Sequence, residues 1–253
     1  MIKLFRKTRQ NMLMENKTGK YFKYAIGEII LVVIGILIAL SINNWNTIRL
    51  QQKDSLELSK RLHEENIANI KELKIGMETL KKTKAANINL LNLMGKDYIN
   101  KSHHTLDSLI YIVIAYPDFN VKASVLTEAI STGKISIFKS SQLKSKLYPI
   151  PPLLQLVQTR ETNIEEDLAD NFFPFMYKNY SMRKMDFNFS SSKNKLGPSV
   201  FDTFDGRRIL NNFEFENLLD NLYFVRNGLT LHYEELLKGF EEFSVLLEKE
   251  INE

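Results

Sequence analysis

The chain has 253 residues, contains no cysteine and carries a formal net charge of +4. Disulfides, thiolate metal sites, iron–sulfur clusters and cysteine nucleophiles are therefore excluded. Six prolines and ten glycines are few for a sheet sandwich, which needs turn residues about every 8 to 12 positions. The composition favours an all-α fold.

The positive charge is concentrated at the amino terminus. Residues 1–23 hold seven lysines and arginines against one glutamate, a net of +6, and because the whole chain is +4 the remainder is −2. Nucleic-acid binding depends on a basic surface, which the bulk of this chain does not have the charge to form. We therefore expect no nucleic-acid binding.

Residues 25–42 form an apolar run with Glu28 as its one charge. At about 1.5 Å per residue, a helix of this length is close to the hydrocarbon thickness of a bilayer. We predict a transmembrane helix over residues 24–45, with aromatic residues at both interfaces. A secretory signal peptide is the alternative, because Ala39-Leu40-Ser41 resembles a cleavage site. The basic segment over residues 1–23 and the apolar run over residues 25–42 are both long for a signal peptide, so an uncleaved signal anchor fits better.

The flanks of this segment predict its orientation. The 20 residues before Tyr24 carry six lysines and arginines, whereas the 20 residues after Ile42 carry four, which are diluted by acids. Cytoplasmic flanks are enriched in lysine and arginine. We expect residues 1–23 to form a cytoplasmic basic segment and residues 46–253 to lie on the other side of the membrane.

Glu28 lies about one turn into the predicted span. The dipole of the helix and the nearby Lys20 and Lys23 favour a glutamate at the cytoplasmic interface, which is the simplest interpretation. A polar contact in a helix oligomer is the alternative, because Gly35 and Ala39 share its face and form a small-x-x-x-small pattern. We expect a homodimer through the span, with these three residues at the helix contact.

The first 46 residues resemble a known family. Three stretches carry the resemblance: KTGKYFKYAIGEI from Lys17, VVIGILIAL from Val32 and INNWN from Ile42. They are similar to the signature of a Bacteroidota family of small single-span membrane proteins, known only as a domain of unknown function. Residues 126–139 are similar to a second recognisable stretch of that family. The resemblance implies an inner-membrane protein of a Gram-negative cell with a periplasmic helical domain over residues 46–253, and it implies no reaction.

Apolar spacing predicts helices throughout the remainder of the chain. A long stalk helix is expected to run to about residue 95, and short helices are expected between residues 105 and 147. The first of these is predicted over Leu106 to Tyr116, with Thr105 or Asp107 as its cap. Further long helices over 153–175, where Pro174 interrupts, and over 213–251 complete a predicted antiparallel bundle. Gly228 predicts a kink or a turn. Residues 181–210 predict a loop, either mobile or involved in binding, and mobility is favoured.

The predicted stalk helix carries an apolar seam at helical spacing, formed by Ile70, Leu73, Met77 and Leu80. Either the carboxy-terminal helix of the same chain or a second copy could bury it. We expect burial within each chain. Aromatic residues concentrated at 171–177 and in the loop after residue 186 predict a hydrophobic core, with a ligand or peptide groove as the alternative.

The sequence contains no combination of residues that indicates a catalytic, cofactor or metal site. His103 and His104 are adjacent, so on a helix their side chains diverge by about 100° and one ion rarely binds both. The run Glu165-Glu166-Asp167 is typical of a solvated helix face. Nucleotide-binding, hydrolase and zinc-protease motifs are absent. We expect no enzymatic activity, no cofactor and no metal.

These observations favour a membrane-anchored, noncatalytic scaffold or adaptor whose periplasmic helical bundle binds other envelope proteins. The alternative is a sensory module that binds a periplasmic ligand. Only about 23 residues are predicted on the cytoplasmic side, too few for a signalling domain. A sensory module would therefore signal through a separate partner.

Overall fold

The computed structural model of the protein describes residues 18–189, 193–201 and 203–252. All regular secondary structure in these ranges is helical, which confirms the predicted all-α class. Residues 1–17 of the predicted cytoplasmic segment lie outside them. The α-helices are α1 (Thr18–Leu93), α2 (His103–Val113), α3 (Ser124–Ser131), α4 (Ser141–Leu147), α5 (Ile150–Asp167), α6 (Phe173–Asn179), α7 (Met182–Phe189), α8 (Lys193–Leu196) and α9 (Phe213–Asn252).

Two compact units divide between Leu56 and Glu57, within α1. No proline interrupts this helix, and it ends just before Gly95, whose φ of 126° is one that L side chains rarely adopt. In the first unit the described residues form a single helix with exposed apolar side chains. The second unit has its own hydrophobic core.

The core of the second unit is built on α1 and α9, which run antiparallel. Asn66 donates to the Phe240 carbonyl at 2.8 Å, and Asn87 donates to the Leu219 carbonyl at 2.5 Å. Leu73 and Leu80 of the predicted seam are fully buried within the chain. The buried stripe of α9 faces them, with apolar residues at helical spacing: Leu219, Leu222, Leu229, Tyr233, Leu236 and Phe240.

Side chains cap the starts of two short helices, one locally and one from α1. Ser140 caps α4 locally by accepting from the Leu143 amide at 3.1 Å. Helix α3 has no local side-chain cap. Instead the buried Glu65 of α1 accepts from the Val125 amide at 2.8 Å and from the Leu126 amide at 3.0 Å. A carboxylate at this helix end satisfies free amides and complements the helix dipole, so it holds α3 against α1.

Several predicted boundaries were wrong. Helix α2 begins at His103 and is capped by Ser102, earlier than the predicted start near residue 106. Pro174 does not end the helical run, because it lies at the start of α6, directly after a helical segment of wider pitch. A π-helical segment, Leu168–Phe172, joins α5 to α6.

The two remaining differences concern the carboxy-terminal half. The predicted loop 181–210 contains helices α7 and α8 and a 3₁₀-helix, Gly206–Asn211. Gly228 neither ends nor interrupts α9, which continues from Phe213 to Asn252. A glycine inside a helix lowers its propensity, but tertiary packing of the apolar stripe of α9 outweighs that effect.

Candidate functional site

The apolar segment of α1 is exposed along its length. By length and composition, Phe22–Leu93 is the one helix among the described residues that could span a membrane, and none of its apolar stretch is buried in the protein. Trp45 lies at the end of this stretch, where the guanidinium of Arg49 lies 5.8 Å from its ring centroid. An apolar helix without protein cover is what a lipid-facing segment requires.

The residues predicted to form a helix contact lie on this segment. Gly35 and Ala39 are exposed, and Glu28 is partly exposed. A methyl group added at Gly35 would meet no atom within 4 Å. The surface around these small residues therefore has room for the close approach of another helix.

A polar cleft of about 470 Å³ opens beside α5 in the second unit. Its walls include three carboxylates, Asp118, Glu161 and Glu165. The Glu161 carboxylate accepts from the Tyr233 hydroxyl and from the Phe119 amide, the latter at 3.3 Å. Burial raises the pKa of Glu161, partly opposed by these two hydrogen bonds, and the charge of Asp118 raises it further.

A carboxyl with a raised pKa in a cleft is the strongest candidate for a functional group in the second unit. Its structural role is also clear, because Glu161 connects α5 to α9 and to the segment between α2 and α3. Among the described residues no group of three histidines, cysteines or acids could hold a metal ion. The raised pKa makes Glu161 the candidate proton-binding group of the cleft.

We predict that Glu161→Gln alters how stability depends on pH. The folded pKa lies above the unfolded value, so Glu161 favours the fold most below the unfolded pKa, and this contribution is lost as pH rises to the folded pKa. Glutamine cannot titrate but keeps an oxygen acceptor. As pH rises from the unfolded pKa to the folded pKa of Glu161, the wild type should lose stability relative to the variant. The measurement is the urea midpoint of each protein at several pH values, followed by circular dichroism.

The matched control for this pH experiment is Glu166→Gln, at an exposed carboxylate in the same helix. It should leave the pH dependence of the midpoint unchanged. If the urea midpoints of Glu161→Gln and of the wild type change with pH by the same amount, the raised pKa of Glu161 is contradicted.

A buried arginine joins α1, α2 and α9. Arg226 is 0% exposed, and it donates to the Asn87 side-chain oxygen at 2.9 Å. It also donates to the Val113 carbonyl and, at 3.3 Å, to the Ala115 carbonyl, both at the carboxyl end of α2. Burial lowers the pKa of Arg226 to about 10, partly opposed by the charge of Asp167, so it stays protonated at neutral pH. A cation at this helix end complements the dipole and caps free carbonyls.

The sequence analysis did not predict a buried role for Arg226, because a charged residue is usually exposed. The apolar spacing of α9 contains a signal that indicates such a role. Arg226 interrupts the apolar stripe of α9 in register, four residues after Leu222 and three before Leu229. A charged residue at a core position of an amphipathic helix indicates a buried polar contact.

The structure does not bring the histidines and acids of the sequence survey together. His103 lies 3.7 Å from Asp205, whereas His104 packs against the Phe189 ring. Glu165 accepts from the Tyr116 hydroxyl at 3.1 Å. These side chains therefore have separate partners.

The aromatic residues divide between the core and the surface. Phe172 and Phe175 are buried and pack against Phe215 of α9, as expected for a core. Tyr177 and Phe201 are exposed and line a small cavity of about 300 Å³. The core interpretation is confirmed for Phe172 and Phe175, and Phe173 and Phe189 also pack against the core, whereas it is wrong for the exposed pair.

A family model matches residues 28–150 of the chain. Its description is Family of unknown function (DUF6090). The matched range includes Glu28, Gly35 and Ala39 and extends from the apolar segment to the start of α5. The predicted resemblance to a family of unknown function is confirmed over this range. The signature motif that begins at Lys17, the Bacteroidota origin and the single-span character of the family stay predictions. No curated protein and no solved structure matches the chain.

Proposed function

We propose that this protein is a membrane-anchored, noncatalytic scaffold or adaptor whose helical domain binds another envelope protein. One observation carries the proposal: an exposed apolar helix of membrane-spanning length precedes a unit with its own core. The first part needs lipid cover, and the second folds around its own apolar residues. Interaction through helix surfaces is the function that this combination supports best.

We further propose an inner-membrane location with a cytoplasmic amino terminus and a periplasmic domain over residues 46–253. The net charge of +6 on residues 1–23 supports this orientation, because positively charged flanks stay on the cytoplasmic side. Reporter fusions at the carboxy terminus should be active with a periplasmic phosphatase and inactive with a fluorophore that matures only in the cytoplasm. The opposite pattern would reverse the orientation.

The span itself is proposed to contribute a homodimer contact through Glu28, Gly35 and Ala39. Small residues let two helices approach closely. A polar contact near Glu28 would stabilise the dimer by about 1 kcal/mol or less. Leucine in place of Gly35 should block that approach and reduce crosslinking of the span in membranes. Unchanged crosslinking would leave the segment as an anchor alone.

Affinity purification of the full chain from native membranes tests the adaptor function. We expect a stoichiometric envelope protein to copurify, because the helical domain is proposed to bind it. The control chain keeps residues 1–56 but carries an unrelated soluble domain in place of the second unit, and it should lose that protein. A bound small molecule in place of a protein would contradict the adaptor and support the sensory alternative.

A further inference from the structure

Helices α1 and α9 enclose a groove of about 580 Å³ on the surface of the second unit. Its apolar lining comes from Met77, Ala85 and Ile88 of α1 and from Leu237 of α9. Ala85 and Ile88 are exposed, so this lining faces water in a single chain. A groove between two long helices is the place where further helices pack in a bundle.

The α1 wall of the groove belongs to a longer helix face that carries both apolar and basic residues. Ile67, Lys74, Lys81 and Ile88 follow one another at seven-residue spacing, so they lie along one face of α1 for about 30 Å. Ile67 is 47% exposed and Ile88 is 44% exposed. Val245 of α9, eight residues beyond Leu237, is 65% exposed. A helix face with exposed isoleucines at its ends and lysines between them has the mixed apolar and charged character of an interface between helices.

The two walls of the groove carry opposite charges. The α1 wall contributes Lys74, Lys81 and Lys84, with Glu78 as its one acid, whereas the α9 wall contributes Glu234. Within the chain, Lys74 pairs with Glu241 of α9 at 3.2 Å, and Lys84 donates to Asn227 and Thr230. Among the described residues, Lys81 and Glu234 have no ion-pair partner, although both line the groove.

We propose that a second copy of this chain covers the groove. The two copies lie side by side and parallel, so that the α1 wall of each faces the α9 wall of the other. A two-fold axis parallel to the helices forms both contacts at once and closes the assembly. The result is a four-helix arrangement of α1 and α9 from each copy.

This arrangement places opposite charges together. Lys74 and Glu241 form an ion pair across the α1 and α9 contact, and Lys81 and Glu234 lie seven residues from them in the same direction along the antiparallel helices, so Lys81 and Glu234 have the same relative height as that pair. Rotation about an axis parallel to the helices does not change height along the helix. Lys81 therefore faces the partner's Glu234, and the contact occurs twice in the dimer.

The distribution of charge favours a second copy over other occupants. An anionic lipid headgroup or an acidic peptide would complement the lysines but would leave Glu234 of the α9 wall without a partner. A second copy complements both walls. The parallel direction rests on the proposed anchor, because two chains anchored in one membrane enter their folded parts from the same end of α1.

Charge reversal tests the proposal on the full chain in nanodiscs. Lys81→Glu and Glu234→Lys should each weaken self-association at least about tenfold, because each places two like-charged pairs in the interface. Mixing the two variants should restore a heterodimer, since every contact then joins opposite charges. Native mass spectrometry of differently tagged chains measures this result. The control Lys96→Glu, at an exposed turn position, should leave dimerisation unchanged.

Cysteine crosslinking gives a second readout, since the natural chain contains no cysteine. A chain carrying Glu78→Cys mixed with one carrying Thr230→Cys should form an intermolecular disulfide, because both positions line the groove at nearly the same height. Ile75→Cys, an exposed position outside the groove lining, should not. The proposal would be overturned by any of three results. Dimerisation could be unaffected by both charge reversals, the mixed variants could fail to form a heterodimer, or the chain could be a monomer whose groove takes up lipid. Membrane fractionation of the same chains reports separately on the proposed anchor.

Discussion

Replacement of Arg226 by methionine is expected to destabilise the helical domain by about 3 kcal/mol. Methionine has a similar length and fills most of the same space, but it cannot donate hydrogen bonds. The Val113 and Ala115 carbonyls and the Asn87 side-chain oxygen would then lose their donor inside the protein. Each buried polar group left without a partner costs about 1 to 3 kcal/mol.

An opposing effect decides how large the loss is. Burial disfavours the charge of Arg226, as its lowered pKa shows, and methionine removes that penalty. Replacing a buried ion together with its partners can therefore be neutral. Here the partners are two backbone carbonyls and an amide, which remain after the substitution. Their desolvation dominates, so the net effect is destabilising.

The measurement is the free energy of unfolding of the full chain in detergent micelles, from urea titrations followed by circular dichroism. Arg160→Met is the matched control, because Arg160 is exposed on α5, and its effect should stay within about 0.5 kcal/mol. Arg226→Lys should fall between the two, since a single ammonium keeps the charge but not the forked geometry. Wild-type stability of Arg226→Met would contradict the proposed cap of α2.

The sequence predicted the fold class, the apolar amino-terminal helix and the burial of Leu73 and Leu80 within the chain. Each depends on a periodic pattern that many residues share, and such patterns survive errors at single positions. The predicted start of α2 was wrong because Ser102 was overlooked among several neighbouring residues that can also cap a helix. Local capping rules do not discriminate between adjacent candidates.

The polar contacts of the second unit could not be predicted because they join residues far apart in the chain. Glu65 caps α3 across about 60 positions, and Glu161 accepts from Tyr233 across 72. Asn66 and Ser59 are polar residues of α1 that are buried in the second unit. Asn66 compensates by donating to α9. A sequence alone does not show which distant group satisfies a buried polar side chain.

Gly76→Ala is expected to destabilise the second unit by about 1 to 2 kcal/mol, although alanine is the better helix former. A methyl carbon at this position would lie 2.6 Å from the Tyr233 ring, closer than atoms can approach. Tyr233 cannot move aside easily, because it is fully buried, packs edge-on against Phe119 and donates to Glu161. Overpacking of this kind costs about 1 to 3 kcal/mol and outweighs the gain of about 0.5 to 1 kcal/mol from replacing glycine in a helix.

Gly239→Ala is the matched control for this substitution. Gly239 also lies within a helix, and an added methyl group there meets no atom within 4 Å, so the variant should be more stable than wild type by about 0.5 to 1 kcal/mol. A double-mutant cycle identifies the cause. In a Tyr233→Leu background the ring is gone, so Gly76→Ala should lose its penalty, as measured by urea unfolding. An equal loss in both backgrounds would show that Tyr233 is not the group that requires glycine at position 76.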